Sequence, residues 1–271
     1  FKNGHKVVFD FGGEMASYRS FGNFTAGKFY VTPHYVLRKG RWFVDAGVRV
    51  DMVLTSSRKP GNMFSAGSQQ YAYPDVKISF AAIRDAMNIY TAVTGGTKMN
   101  TYASVLAEDH YADMTHDHVI GTDVERVCAE LGFKGRISRR FSYDLRGGYS
   151  IYAAAALPSL AVIGTELLPE FGYASFQKAY AALDWRWDTD GFKFDGSVTY
   201  THTWGFDAAE MVFAPAALTG NVAFEYNWKR RIFVGADCDF STARKMTLLD
   251  VALPGYADLG VSVEYALNRK I

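Results

Sequence analysis

The chain has 271 residues, 49% of them hydrophobic, with 29 basic against 28 acidic side chains and a formal net charge of +1. Balanced charge removes any global argument for nucleic-acid binding, and no run approaches the ~20 apolar residues of a membrane-spanning helix. The mean hydropathy of -0.08 suits a soluble protein, yet a transmembrane barrel needs only ~9–11 alternating residues per strand, so it remains open.

Taken in chain order, alternation of apolar and polar residues predicts about twelve strands, at roughly 5–16, 24–38, 41–54, 71–82, 86–97, 122–137, 140–153, 172–188, 191–204, 216–228, 231–243 and 255–267. Connections alternate between short and long. The short ones read RKGR, IRDA, SRR, DTDG, KRR and NRK; the long ones fall near 17–23, 55–70, 98–121, 154–171, 205–215 and 244–254. Tight turns at one rim and extended loops at the other are the asymmetry of an outer-membrane barrel.

Pairing Trp228 with Ile232 across Lys229–Arg231 puts Val222, Phe224, Tyr226 and Trp228 on one face with Ile232, Val234, Ala236, Cys238 and Phe240. Ile137 and Phe141 stand in the same way across residues 138–140, and Leu267 and Ile271 across residues 268–270. Four-residue turns are expected to bring Leu37 to Trp42, Ala82 to Met87 and Trp187 to Phe192. Each hairpin then carries one apolar and one polar face.

A soluble barrel or sandwich would hide the apolar face, whereas a transmembrane barrel turns it to lipid and lines its lumen with the polar one. Several expected strands run about 13–17 residues, against ~5–6 in soluble sheets. Aromatics such as Tyr35, Trp42, Phe141, Tyr143, Trp187, Phe192 and Trp228 crowd the strand ends at the tight turns, as an interfacial girdle would. The fold class is therefore an all-β, antiparallel up-and-down transmembrane β-barrel. About 12 strands are visible and 14 are expected in the complete chain, with residues 1–271 read as one domain whose last strands are missing.

The stretches YNWKRRIFVGADCDFSTAR and PGYADLGVSVEYALNRK resemble the late barrel strands of TonB-dependent-receptor-like outer-membrane proteins of the Bacteroidota type, over roughly the last third of the chain. The resemblance implies an outer-membrane location and passage or uptake of a solute. Neither a plug domain nor a TonB box is visible, and the length is short of a 22-stranded barrel, so a longer chain or a 14-stranded version is expected.

The expected lumen face collects Asp10, Glu14, His34, Asp45, Arg49, Asp51, Arg126, Glu130, Lys134, Asp144, Arg146, Asp184, Arg186, Lys193, Asp195, Glu225, Asp237, Asp239 and Glu264. Interleaved charges of both signs can select a hydrophilic solute; the plainer alternative is a wall of paired charges that transports nothing. His110, His116 and His118, beside several carboxylates, are weak metal candidates whose spacing matches no specific zinc pattern. No metal or cofactor is expected. His202, with Asp207 nearby, suggests a catalytic relay, but alternation sets it on the lipid-side register, so no enzyme is expected.

Cys128 and Cys238 fall on opposite kinds of face, against a mutual disulfide. Gly95–Gly96 and Gly147–Gly148 mark bends in the wall. The run Ala153–Ala156 with Leu157, Leu160, Val162 and Ile163 reads as an apolar extracellular loop and is the one hint of a protein partner. The expected role is passage or uptake of a hydrophilic solute, with a non-transporting scaffold subunit of a larger outer-membrane assembly as the alternative. Expected partners are outer-membrane lipid and other outer-membrane or periplasmic subunits, and no nucleic acid.

Overall fold

The computed structural model describes residues 4–18, 24–58, 64–84, 86–108, 121–163, 166–207, 211–229 and 231–266. Its long strands are β1 (His5–Tyr18), β2 (Phe24–Lys39), β3 (Trp42–Arg58), β4 (Phe64–Ile83), β5 (Met87–Met99), β6 (Thr122–Arg136), β7 (Phe141–Ile163), β8 (Glu166–Asp188), β9 (Phe192–Trp204), β10 (Leu218–Trp228), β11 (Ile232–Ser241) and β14 (Tyr256–Tyr265). They form one antiparallel sheet in the order β1 to β11 and then β14, each strand beside its neighbour in the chain. The sheet is open, with β1 and β14 at its edges. A short helix α1 (Tyr102–Glu108) follows β5, and a small hairpin, β12 (Arg244–Lys245) with β13 (Ala252–Leu253), precedes β14.

Alternation decides the two faces. Phe9, Phe11, Val50, Leu131, Leu145, Leu183, Phe224, Val234 and Val261 are exposed on the apolar face, while Lys28, Asp51, Thr97 and Ser150 are buried on the polar one. The polar face is therefore the inner one, and the sheet is inside out relative to a soluble domain. At the tight-turn rim Trp42 packs on Phe80, Phe141 on Trp187, and Trp187 on Phe192, with ring centroids 4.8, 6.3 and 5.2 Å apart. These rings make the expected girdle.

Trp228 pairs with Ile232 as the alternation requires, and the Ile137 N–H donates to the Phe141 carbonyl at 3.1 Å. The Leu267–Ile271 pairing lies outside the described residues. Three turns are tighter than expected. Lys39 meets Trp42 and Leu37 meets Val44, because Gly40 at φ 62° closes a two-residue turn. Asp188 meets Lys193, the Thr189 hydroxyl accepting the Phe192 N–H at 3.0 Å. A bulge after Ala81 sets Ile83, not Ala82, opposite Met87.

The run expected as an apolar extracellular loop is strand. β7 and β8 stay paired from Phe141↔Trp187 to Ile163↔Glu166, through a bulge between Tyr152 and Ala155. Beyond that bulge Ala155 and Leu157 pack with Ala174 and Phe176 and are covered by Val212 and Phe206. None of residues 153–160 is exposed, so this run is apolar because it forms a small core. The covering segment is tied down by bridges from Val212 to Ser159 and from Phe213 to Met246. Each of these two strands has 23 residues, so at ~3.3 Å per residue and a ~45° tilt they stand ~50 Å tall, well beyond a ~30 Å hydrocarbon layer.

Seven cross-strand pairs among the described residues set an aromatic ring over a glycine. Gly12↔Tyr30, Gly132↔Tyr90 and Gly148↔Tyr180 lie on the inner face; Gly13↔Phe29, Gly135↔Tyr143, Gly196↔Trp185 and Gly220↔Phe240 lie on the outer face. A Cβ at Gly148 would sit 2.6 Å from the Tyr180 ring, and one at Gly220 would sit 2.7 Å from that of Phe240. The ring covers backbone that glycine leaves bare. On the inner face the ring is always a tyrosine; on the outer face it is a phenylalanine, a tryptophan or, at Tyr143, a tyrosine.

The sheet divides between β4 and β5. Their ladder ends at Val76↔Val93, although β5 continues on β6 as far as Met99↔Thr122. A bulge between Thr94 and Gly96 turns β5 inward. A Cβ at Gly95 would lie 2.8 Å from the Tyr73 ring, so the glycine lets β5 pass over that side chain. Beyond it β5 crosses the inner face of β3 and β2, and Met99 and Tyr102 pack on Ala26 and Ala16.

Candidate functional site

The inner face is built from three groups of side chains. On β1 to β3, His34 joins two acids, its Nδ1 2.6 Å from Asp45 Oδ1 and its Nε2 3.0 Å from Asp10 Oδ2. Above them Asp51, fully buried, accepts Arg49 Nε at 2.7 Å, the Thr97 N–H at 2.9 Å and the Thr97 hydroxyl at 2.6 Å. Lys28, also buried, donates to the Thr97 carbonyl and lies 3.4 Å from Glu14. Arg49 stacks 4.5 Å from the centroid of the Tyr30 ring. Buried charges demand such partners, and here each carboxylate oxygen of Asp51 has one or more.

The second group spans β5 to β8. The Tyr90 hydroxyl donates to Asp144 Oδ1 at 2.8 Å, and Lys134 stands 3.8 Å from the same carboxylate. Arg146 pairs with Asp184, and the Tyr180 hydroxyl with Glu130. Both tyrosines span an intervening backbone at the glycine opposite their ring, which brings the hydroxyl to an acid one strand further on. Toward the tight-turn rim a cavity of about 500 Å³ opens between Asn88, Lys134, Arg136, Asp144, Asp184 and Arg186.

The third group, on β9 to β14, is mostly acidic. Lys193 lies 3.3 Å from Glu225, but Asp239 stands directly opposite Asp258, and the Asp237 carboxylate rests over Gly260. Asp195 and Glu264 share this face by alternation with Lys193 and Ser262. The wall is thus neutralised by internal pairs on β1 to β8 and carries an acidic surplus on β9 to β14.

The structure brings most of the expected lumen residues into these groups. Arg186 turns back on its own strand to Asp188, 3.3 Å away. Arg126 is the exception: it is the extra residue of a bulge between Glu125↔Tyr152 and Val127↔Ile151, so alternation does not place it. Sequence reasoning passed over Lys28, Thr97, Tyr90 and Tyr180. Lys28 was legible, since it shares the parity of His34. The tyrosines were not, because their role depends on which glycine the register sets opposite.

His202 stands on the outer face beside Trp204, ring centroids 5.4 Å apart. Trp204 stacks on Tyr149 and donates its Nε1–H to Gln177 at 3.1 Å, an arrangement of packing rather than of acid, base and nucleophile. Among the described residues no group of three His, Cys, Asp or Glu side chains is placed to hold a metal ion; His110, His116 and His118 lie outside those residues. Cys128 and Cys238 are free thiols; Cys128 Sγ is 4.0 Å from the inner-face Tyr180 hydroxyl.

No protein-family model matches the chain, and no curated protein matches it in sequence. Solved structures do match in fold. The copper transporter OprC superposes with a TM-score of 0.64 at 9% identity, covering 92% of this chain and 41% of that one. The FrpB iron transporter from Neisseria meningitidis (F3-3 variant) gives 0.62 at 11%, over 90% and 39%. The siderophore receptor PiuA from Acinetobacter baumannii gives 0.62 at 12%, over 91% and 37%. The chain thus has the barrel-wall fold of TonB-dependent receptors and spans about two-fifths of the length of these structures.

Proposed function

We propose that this chain forms part of the wall of an outer-membrane β-barrel that carries a hydrophilic solute inward. One observation supports this most directly: an exposed apolar outer face with aromatic rings at the rim is joined to an inner face of hydrogen-bonded charges. Hydrocarbon outside and water inside are the pair of solvents that arrangement suits. The TonB-dependent-receptor fold, found in structures named as copper and iron transporters and a siderophore receptor, favours uptake over a scaffold role, for which no observation speaks. The acidic surplus on β9 to β14 favours cationic or cation-bearing solutes, since rings of carboxylates select cations.

Planar-bilayer recording of the full-length protein, with solute uptake by whole cells alongside, tests this reading. Replacing Asp237 and Asp239 with Lys is expected to lower cation preference by ~3-fold or more, because low-dielectric walls strengthen each charge in a narrow passage. Absence of conductance and uptake under all conditions would leave the interior as a filled, non-transporting wall.

A further inference from the structure

We propose that the end of β5 and α1 form an inward gate, held shut by Lys28 and Asp51 gripping the peptide of Thr97. The Thr97 N–H and C=O point away from β6, toward the side where β4 would lie in an unbroken sheet. Here Asp51 takes the N–H at 2.9 Å and Lys28 takes the C=O. An acid and a base together replace a strand partner. The edge that partner would offer is present: residues 67–70 of β4 are exposed, and β4 beyond Val76 pairs only with β3.

Continuing the register of Val76↔Val93 sets Ala72 opposite Thr97 and Tyr71 opposite Lys98. The same two backbone groups therefore have two alternative partners, side chains of β2 and β3 in the closed arrangement and the β4 backbone in the open one. The hinge is Gly95–Gly96 with its bulge, and Pro74, which has no N–H to give, stands where the ladder stops. In the closed state the strap covers Tyr73, Asp51 and Lys28 and seats Met99 and Tyr102 on Ala26. Opening clears the inner face of β1 to β4 for a solute. This rests on the uptake reading for its purpose but not for its mechanics.

The test uses the full-length protein in proteoliposomes, with Cys128 and Cys238 replaced by Ser and cysteines placed at Tyr71 and Lys98. These two positions face each other only when β5 is zipped onto β4. Oxidation should form the disulfide slowly with the latch intact and ~10-fold faster in K28M or Asp51→Ala, the factor that ~1.4 kcal/mol of lost latch energy gives. Thr97→Val, which removes one of the two bonds between Thr97 and Asp51, should fall between them, and it serves if Asp51→Ala does not fold. Heat-modifiable migration on gels confirms a folded barrel in each case. Rates within ~2-fold of the parent in every folded variant would overturn the gate. The disulfide needs no solute, so loss of the uptake reading would leave this readout intact; faster uptake alongside faster crosslinking would tie the gate to passage.

Discussion

Arginine at Val234 or Phe224 is expected to destabilise the folded barrel in lipid by ~2–4 kcal/mol, the cost of a lipid-facing cation near the bilayer midplane. Both side chains are exposed on the outer face, in the middle of the β10–β11 hairpin, where Val234 pairs with Tyr226 and Phe224 with Ala236. No inner-face group can reach them, and a long cationic side chain could escape only toward the rim. Urea titration of the protein folded into liposomes measures the loss. Arg146→Gln is the control: it removes a charge from the inner face and leaves Asp184 part-exposed to water, so insertion should be little affected. Equal costs at both kinds of position would place the apolar face in a soluble core and reverse the whole assignment.

Gly132→Ala is expected to cost ~2–4 kcal/mol, through overpacking and loss of a hydrogen bond to a charged group. The added methyl would overlap the Tyr90 ring, and the ring cannot move without giving up the 2.8 Å bond to Asp144. Gly147→Ala provides the comparison, since a Cβ there meets only the Tyr180 carbonyl, at 3.4 Å. That variant should be close to neutral. The pair can be measured by the same urea titration; matching losses would show that the ring-over-glycine contact contributes nothing.

The strand count and the facing of residues were legible because period-two alternation is a local signal, and the basic tight turns mark where it reverses. Register was less so. Lys39↔Trp42 and Ile83↔Met87 depend on a left-handed glycine and a bulge; the first shifts the pairing by two residues and keeps each face, the second shifts it by one and alters parity, and neither shows in composition. The upper halves of β7 and β8 misled for a physical reason: Ala155, Leu157 and Phe176 are apolar on the inner face, because a segment from residue 205 onward covers them. Alternation could not anticipate that cover. Likewise the charges of the inner face could be named from the sequence, but not their partners. That Asp51 meets Thr97 rather than another charge follows from β5 leaving its place in the ladder, and only the Gly95–Gly96 pair announced a bend there.

The ring-over-glycine pairs bear on how such a wall is put together without error. A long, twisted sheet with small residues on both faces is prone to sliding by a residue or two as each hairpin adds to the last. At six seams, β1–β2, β5–β6, β6–β7, β7–β8, β8–β9 and β10–β11, a slipped strand would drive an aromatic ring into a side chain and leave bare backbone where the ring belonged. Each such seam thus favours one alignment over its neighbours, like a key that turns in one slot. Repeated at several seams of the twelve-stranded sheet, such a contact specifies register locally, strand against strand, and not only through the finished wall.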